Sequence, residues 1–271
     1  MNRESSQNFQ RSGLRPHLEM RRAYQSAGCY HTHTHDEFSV GVIDAGSATY
    51  RHLQRLKTIH QTTTVMINPG EAHSCNPCVG QRWSYRMLFI DAGWMGQLQA
   101  SLPDWRGSDY TPLTRSSSDT VASYHQFDDL FETLARDENP LAADEKLIQF
   151  LTTHCLGQGD GGLDKRQPEH ALNKAKELLM DQLDHNVTLD AVAHVAGLSP
   201  YHLIRRFKQA YGQTPHAFQL DQRINRGKQL LKLGHSIVEV ALKLGFADQS
   251  HFQRHFKKRH AITPKAYQQS L

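Results

Sequence analysis

Arg205 and Arg254 are the side chains whose chemistry is easiest to name, because each sits at the same point in two copies of one pattern. A guanidinium can pair bidentately with the major-groove edge of guanine, so an arginine presented twice suits the reading of bases. Tyr201, His202 and Ile204 share a helix face with Arg205, and an isoleucine can pack on a thymine methyl. Gln249, Ser250 and Gln253 take the matching places beside Arg254, and glutamine can pair with adenine. Lys208, Lys257, Thr188 and Ser236, with the helix N-termini, suit phosphate oxygens and would set register without reading sequence. A solvated helix face would look similar at any one position; the recurrence of both arginines favours reading. A second chemistry lies earlier. Cys75-Asn-Pro-Cys78 follows His73, and Cys29 precedes His31, His33 and His35, so thiolates and imidazoles could form a zinc or redox-sensing site if the segments adjoin. Reduced thiols in a loop are the plainer reading of a single Cys-x-x-Cys without a second pair.

The elements that must position the arginines are written twice. Thr188-Leu-Asp-Ala-Val-Ala193 leads to Gly197-Leu198-Ser199, Phe207-Lys208 and Thr214-Pro215. Ser236-Ile-Val-Glu-Val-Ala241 leads to Gly245-Phe246, Asp248, Phe256-Lys257 and Thr263-Pro264, in register once Ala247 is allowed as an extra turn residue. Thr188 and Ser236 can cap a first helix, Gly197 and Gly245 supply its sharp exit, and Ser199 and Asp248 can cap a second. Leu203 with Phe207, and Phe252 with Phe256, recur at i, i+4 and must face inward, which leaves the basic residues outside. Each copy is thus a helix-turn-helix, whose second helix enters a major groove.

Two such units joined by one helix resemble the AraC/XylS family of bacterial transcription regulators. The resemblance rests on Ala193, Gly197-Leu198-Ser199, Phe207-Lys208, Gly212, Thr214-Pro215, Ala241, Gly245-Phe246, Phe256-Lys257-Lys258 and Thr263-Pro264, and covers roughly the last hundred residues. Ala261 departs from the family's usual glycine, and Gly227 from its usual alanine in the connecting helix. That glycine should cost the helix up to about 1 kcal/mol.

Charge divides the chain the same way. Residues 165–271 hold 17 Lys and Arg against 8 Asp and Glu, a net of +9, whereas residues 1–164 hold 14 against 19, a net of −5. The basic half calls for a polyanion, double-stranded DNA, and the acidic half for another task. The chain has no run of eighteen apolar residues and no signal-peptide pattern near Met1, so no membrane partner and a cytoplasmic location are expected.

Before the repeat, residues 1–13 read as a flexible arm. From Leu18 to about Asp91, short alternating runs punctuated at Asp44-Ala-Gly46 and Asn68-Pro-Gly70 imply an all-β barrel or sandwich. His33-Thr-His35 and Pro69-Gly70-Glu-Ala-His73 look like the two signature segments of cupin barrels, which many AraC/XylS regulators carry as a sensing domain. That resemblance implies three imidazoles, His33, His35 and His73, around one ion, yet the usual acidic ligand is missing: Ser39 and Val40 stand there, and Glu37 comes too early. A small-molecule effector pocket lined by His33, His35, Glu37 and His73 is therefore expected, with no cofactor and no bound metal. His33, His35, His73, Cys75 and Cys78 are the residues a metal would have to use.

Apolar residues at 3–4 spacing predict helices over 119–136 and 140–156, the second carrying Leu147, Ile148, Leu151 and Cys155 on one stripe. Family resemblance implies dimerisation through such helices, so Leu147, Ile148 and Leu151 are a candidate partner face. Four glycines between Gly157 and Gly162 predict a linker. A scaffold helix is expected over 170–183 and a connecting helix over 215–233.

The expected fold is α+β in two domains. Residues 1–116 hold the arm and a cupin-like β-barrel, 117–156 a helical segment, 157–168 the linker, and 169–271 an all-α double helix-turn-helix. The expected function is a DNA-binding regulator, by resemblance an activator, that answers a small-molecule effector, forms a homodimer and contacts RNA polymerase. A metal or redox sensor, or a cupin metalloenzyme fused to a DNA-binding domain, is the alternative; otherwise no enzyme is expected.

Overall fold

The structure is a computed structural model that describes residues 7–11, 13–53, 55–102, 105, 107, 109–136, 139–156, 170–185 and 187–271. The alternating runs of the first half become strands β1 (Gln7–Arg11), β2 (Leu18–Ser26), β3 (Phe38–Ala45), β4 (Ser47–His52), β5 (Arg55–His60), β6 (Thr64–Ile67), β7 (His73–Pro77), β8 (Trp83–Ile90) and β9 (Ser117–Ser118). They make two antiparallel sheets, in the orders β1-β2-β8-β3-β6-β9 and β5-β4-β7. Successive strand side chains point to opposite faces, and the larger sheet is covered on both. Phe38, Val40, Val42, Leu88 and Ile90 enter one core, whereas Ile43, Val65, Ile67, Trp83 and Tyr85 enter another, shared with Ala48, Tyr50 and Ile59 of the smaller sheet. Gly41 lets β3 lie against β8: a Cβ there would meet Met87 Sδ at 2.1 Å and the Arg86 carbonyl at 2.3 Å.

Helices α1 (Ala92–Ala100), α2 (Val121–Arg136) and α3 (Pro140–Phe150) cover the first of those cores, α3 continuing into a wide π turn over Leu151–Leu156. Arg86 ties sheet to helix through Asp44 and Asp128, each at 2.6 Å. Leu147 and Leu151 are buried in this core, 1% and 0% exposed. The expected partner face of Leu147, Ile148 and Leu151 is corrected accordingly: helical periodicity turns the two leucines onto the sheet, and of the three only Ile148 is exposed.

The flexible arm is corrected too. Residues 7–11 add an edge strand along β2, because Phe9 finds an apolar partner in Tyr267, edge-on with ring centroids 5.6 Å apart. Residues 1–6 and the expected linker, 157–168, lie outside the described residues.

The rest is helical: α4 (His170–Asp181), α5 (Leu189–Ala196), α6 (Pro200–Tyr211), α7 (Pro215–Lys232), α8 (Ile237–Lys243), α9 (Gln249–His260) and α10 (Pro264–Gln269). The repeat forms α5–α6 and α8–α9, with α7 between. Thr188, Ser199, Ser236 and Asp248 each accept an amide of the helix they open, as their types predict. Leu203 and Phe207 centre one core, Phe252 and Phe256 another, all 0% exposed.

Both departures from the family pattern acquire a physical setting. Ala261 closes α9 at φ +55°, a left-handed conformation that strains a residue with a Cβ by about 1–2 kcal/mol. At Gly227, a Cβ would lie 2.7 Å from the Phe252 ring, so the glycine that weakens α7 as a helix admits the core of the second unit.

Candidate DNA-reading face and effector cavity

With their apolar residues turned inward, α6 and α9 leave a polar and basic face outside. Tyr201 is 70% exposed and Ile204 37%; His202, Arg205 and Lys208 are exposed beside them. On α9, Ser250, Arg254 and Lys257 are exposed, while Gln249 and Gln253 are half-buried. Among the described residues Arg205, Lys208, Arg254 and Lys257 form no ion pair, which leaves their charge for a polyanion. His202 Nδ1 lies 3.0 Å from Ser199 Oγ and so also braces the cap of α6. The two first-helix caps differ. Ser236 gives its hydroxyl proton to Glu239, 3.0 Å away, and has none left for a phosphate, whereas Thr188 keeps its own.

Between the two sheets lies a cavity that opens to solvent. Tyr30, Trp83, Tyr85 and Phe89 wall it with rings, and Arg21, His33, His35, His73 and Cys75 add polar groups. His33 and His73 are brought together by a β-bridge, with paired backbone hydrogen bonds of 3.0 and 2.9 Å. Their rings are 4.5 Å apart, and His35 is 4.8 Å from His73. Each Nδ1 lies 2.7–2.9 Å from a backbone carbonyl, of His31, Glu37 and Glu71 respectively. A carbonyl only accepts, so each ring carries its proton on Nδ1 and keeps Nε2 as an acceptor. Burial pushes His33 and His35 down to about 3 and His73 well below its ordinary value, so all three are neutral.

That tautomer is the one a metal would need, but the donor set does not fit an ion. The Ser39 hydroxyl sits 3.2 Å from His35 Nε2 where no carboxylate is available, and among the described residues no three His, Cys, Asp or Glu are placed to hold one. Cys75 is a cavity wall whose thiol burial pushes up to about 12, against the reactive thiolate. Cys78 lies elsewhere, against Ser47. Glu37, expected as an effector contact, is corrected: its carboxylate turns away to Lys228 at 3.2 Å and Lys232 at 3.5 Å. The aromatic walls were missed, although Trp83, Tyr85, Met87 and Phe89 alternate along β8 and so share one face.

Residues 16–151, half of the chain, match the family model of the AraC-like ligand binding domain, and residues 192–270 match that of a helix-turn-helix domain. The chain belongs to the AraC family. It is similar to the uncharacterized HTH-type transcriptional regulator YbfI of Bacillus subtilis, 27% identical over 88% of this chain and 87% of that one. The transcriptional activator RhaS of Salmonella arizonae is 24% identical over the same shares of the two chains. The fold is shared with ToxT of Vibrio cholerae, at a TM-score of 0.58 and 14% identity, over 94% of this chain and 98% of that one. This AraC-family protein is a transcription regulator with an N-terminal ligand-binding domain and a C-terminal DNA-binding domain.

In this AraC-family chain the two domains meet along α7. The Thr34 amide and hydroxyl both donate to Asp221, at 2.6 and 2.7 Å, and Asp221, 0% exposed, also accepts from Arg259 of α9 at 2.9 Å. Gln213 donates to the Thr32 carbonyl at 3.0 Å and Gln229 to Asp36 at 2.8 Å. Glu19 meets Lys228 at 3.1 Å and Lys232 at 3.3 Å, and accepts from Tyr267 at 2.9 Å. Burial alone would raise the Glu19 carboxyl, but the two lysines hold it below its ordinary value. Gly212 touches the sensor directly, since a Cβ there would lie 2.7 Å from that of Ala72.

Proposed function

We propose that the effector binds in the cavity between the sheets and that its occupancy decides whether the two helix-turn-helix units engage DNA. One observation carries this reading. His33 and His35 line the cavity, while Thr34 and Asp36, next to them in the same segment, bond to α7. A ligand that prefers one placement of the histidines must prefer one placement of α7, and such a difference in affinity is what a population shift requires.

Residues 1–116 with the helices of 117–156 form the sensing unit in this reading, since α2 and α3 complete its core; residues 169–271 form the DNA-binding unit. Its 18-residue α7 spans about 27 Å, close to the roughly 34 Å turn of DNA, which suits successive major-groove entries by α6 and α9. Arg205 and Arg254 read bases, with Tyr201, His202, Ile204, Gln249, Ser250 and Gln253 around them; Thr188, Lys208 and Lys257 take phosphates. The protein works in the cytoplasm as an activator that contacts RNA polymerase, and as a homodimer through the exposed side of α3, where Leu141 and Ile148 share a face. A cupin metalloenzyme or a redox sensor finds less support, because His35 Nε2 is engaged by Ser39 and Cys75 stands without Cys78.

Footprinting on the DNA flanking its own gene at two salt concentrations tests the reading. Two or more protected segments about one turn apart, weakening steeply with salt, are expected; no protection under any condition defeats it.

A further inference from the structure

Arg21 belongs to both halves of the molecule. It lines the cavity, and its Nη2 donates to the His260 carbonyl of the second recognition helix, α9, at 3.0 Å. His31 does the same one turn-fraction earlier, its amide donating to the Lys258 carbonyl at 3.2 Å. The last carbonyls of a helix have no intrahelical partners, and a cation there also answers the helix dipole. The sensing domain thus supplies donors that close the C-terminal end of α9, and one of them is a wall of the cavity.

The rest of the cavity says what would approach Arg21. None of its lining side chains is acidic, and burial keeps its three histidines neutral. The guanidinium lies 5.1 Å from the centre of the Tyr30 ring and 5.5 Å from that of Tyr85, and bonds to the Tyr30 hydroxyl. Trp83, 2% exposed, is a further wall whose buried indole N–H has no partner among the described residues. A guanidinium and a spare N–H set among aromatic rings complement an anionic head on a flat apolar body.

We propose that the cavity takes a small aromatic carboxylate whose head pairs with Arg21, and that this pairing draws the guanidinium from His260 and loosens α9 from the sensing domain. The inference rests on the effector entering this cavity. Its energetic basis is competition: the partners of Arg21 include a neutral hydroxyl and a neutral carbonyl, and a carboxylate offers the guanidinium two parallel hydrogen bonds together with an opposite charge.

Calorimetric titration of the full-length protein with phenylacetate and with phenylacetamide, its neutral counterpart, tests both parts when joined to hydrogen exchange over residues 255–261. The acid is expected to bind at least about tenfold more tightly than the amide, a difference of roughly 1.4 kcal/mol, and to raise exchange over that stretch several-fold. Arg21→Gln is expected to lose the preference and to show the raised exchange without ligand. The wild-type comparison of acid with amide stands even if that variant fails to fold. Equal affinities, or no binding of either probe, overturn the ligand class; tight acid binding with unchanged exchange overturns the link to α9. Val65→Phe, which fills the cavity, separates these failures from that of the effector site. If phenylacetate binds this variant as tightly as wild type, the cavity reading falls as well; if binding is abolished, the cavity stands whichever way the acid and amide compare.

Discussion

Arg205→Ala should cost about 1–3 kcal/mol on the true operator and relax preference at one base pair, because a bidentate contact to guanine discriminates by that amount. Lys257→Ala should weaken all sequences alike and shallow the salt slope by about one. Binding titrations on operator and random DNA at several salt concentrations separate the two; equal losses on both DNAs for the arginine change would remove its reading role. Two small residues test packing with opposite signs. Gly227→Ala should stabilise by up to about 1 kcal/mol on helix propensity alone, but the Phe252 ring 2.7 Å from the new Cβ makes overpacking of about 1–3 kcal/mol prevail, so the melting temperature should fall. Ala261→Gly should raise the melting temperature, through about 1 kcal/mol of added stability, since glycine takes φ +55° without strain.

At the level of elements, the segment holding the histidines makes stability depend on pH. His33 and His35 stay neutral in the fold down to about 3, whereas in the unfolded chain they gain a proton near their ordinary 6.5. Their contribution is therefore complete above about 6.5 and is lost as pH falls toward 3, by roughly 1.4 kcal/mol per pH unit for each ring. Denaturant unfolding from pH 7 to 4 should show this slope, and His33→Gln should reduce it; a variant with the parent's slope would show that the ring titrates freely. The elements themselves were largely legible before the structure. Caps at Thr188, Ser199, Ser236 and Asp248 and the apolar spacing of α6 and α9 follow local rules that neighbouring residues enforce. Partners across elements were not legible. Lys228 and Lys232 look like a solvated helix face, Glu37 like a pocket residue and Phe9 like part of a polar arm until α7 and α10 are packed against the sheets. The stripe holding Leu147 and Leu151 likewise reads the same whether its partner is its own sheet or a second subunit.

For the whole molecule, the arrangement holds the sensor against the connecting helix and the second helix-turn-helix unit at once, through Asp221, Lys228, Lys232 and the end of α9. Ile148→Glu with Leu141→Glu should turn a dimer into a monomer in sedimentation; a dimer that persists must use another face. Thr34→Val, which strips one donor from the buried Asp221, should loosen the docking of the domains and raise operator binding without effector; unchanged binding would detach this contact from regulation. The alternation of His33, Thr34, His35 and Asp36 has an evolutionary consequence. Substitutions at the two histidines can retune the chemical signal received, while Thr34 and Asp36 keep the output wiring intact. Insertion of a single residue would exchange the two roles, so this short stretch can diversify by replacement but not by changes in length.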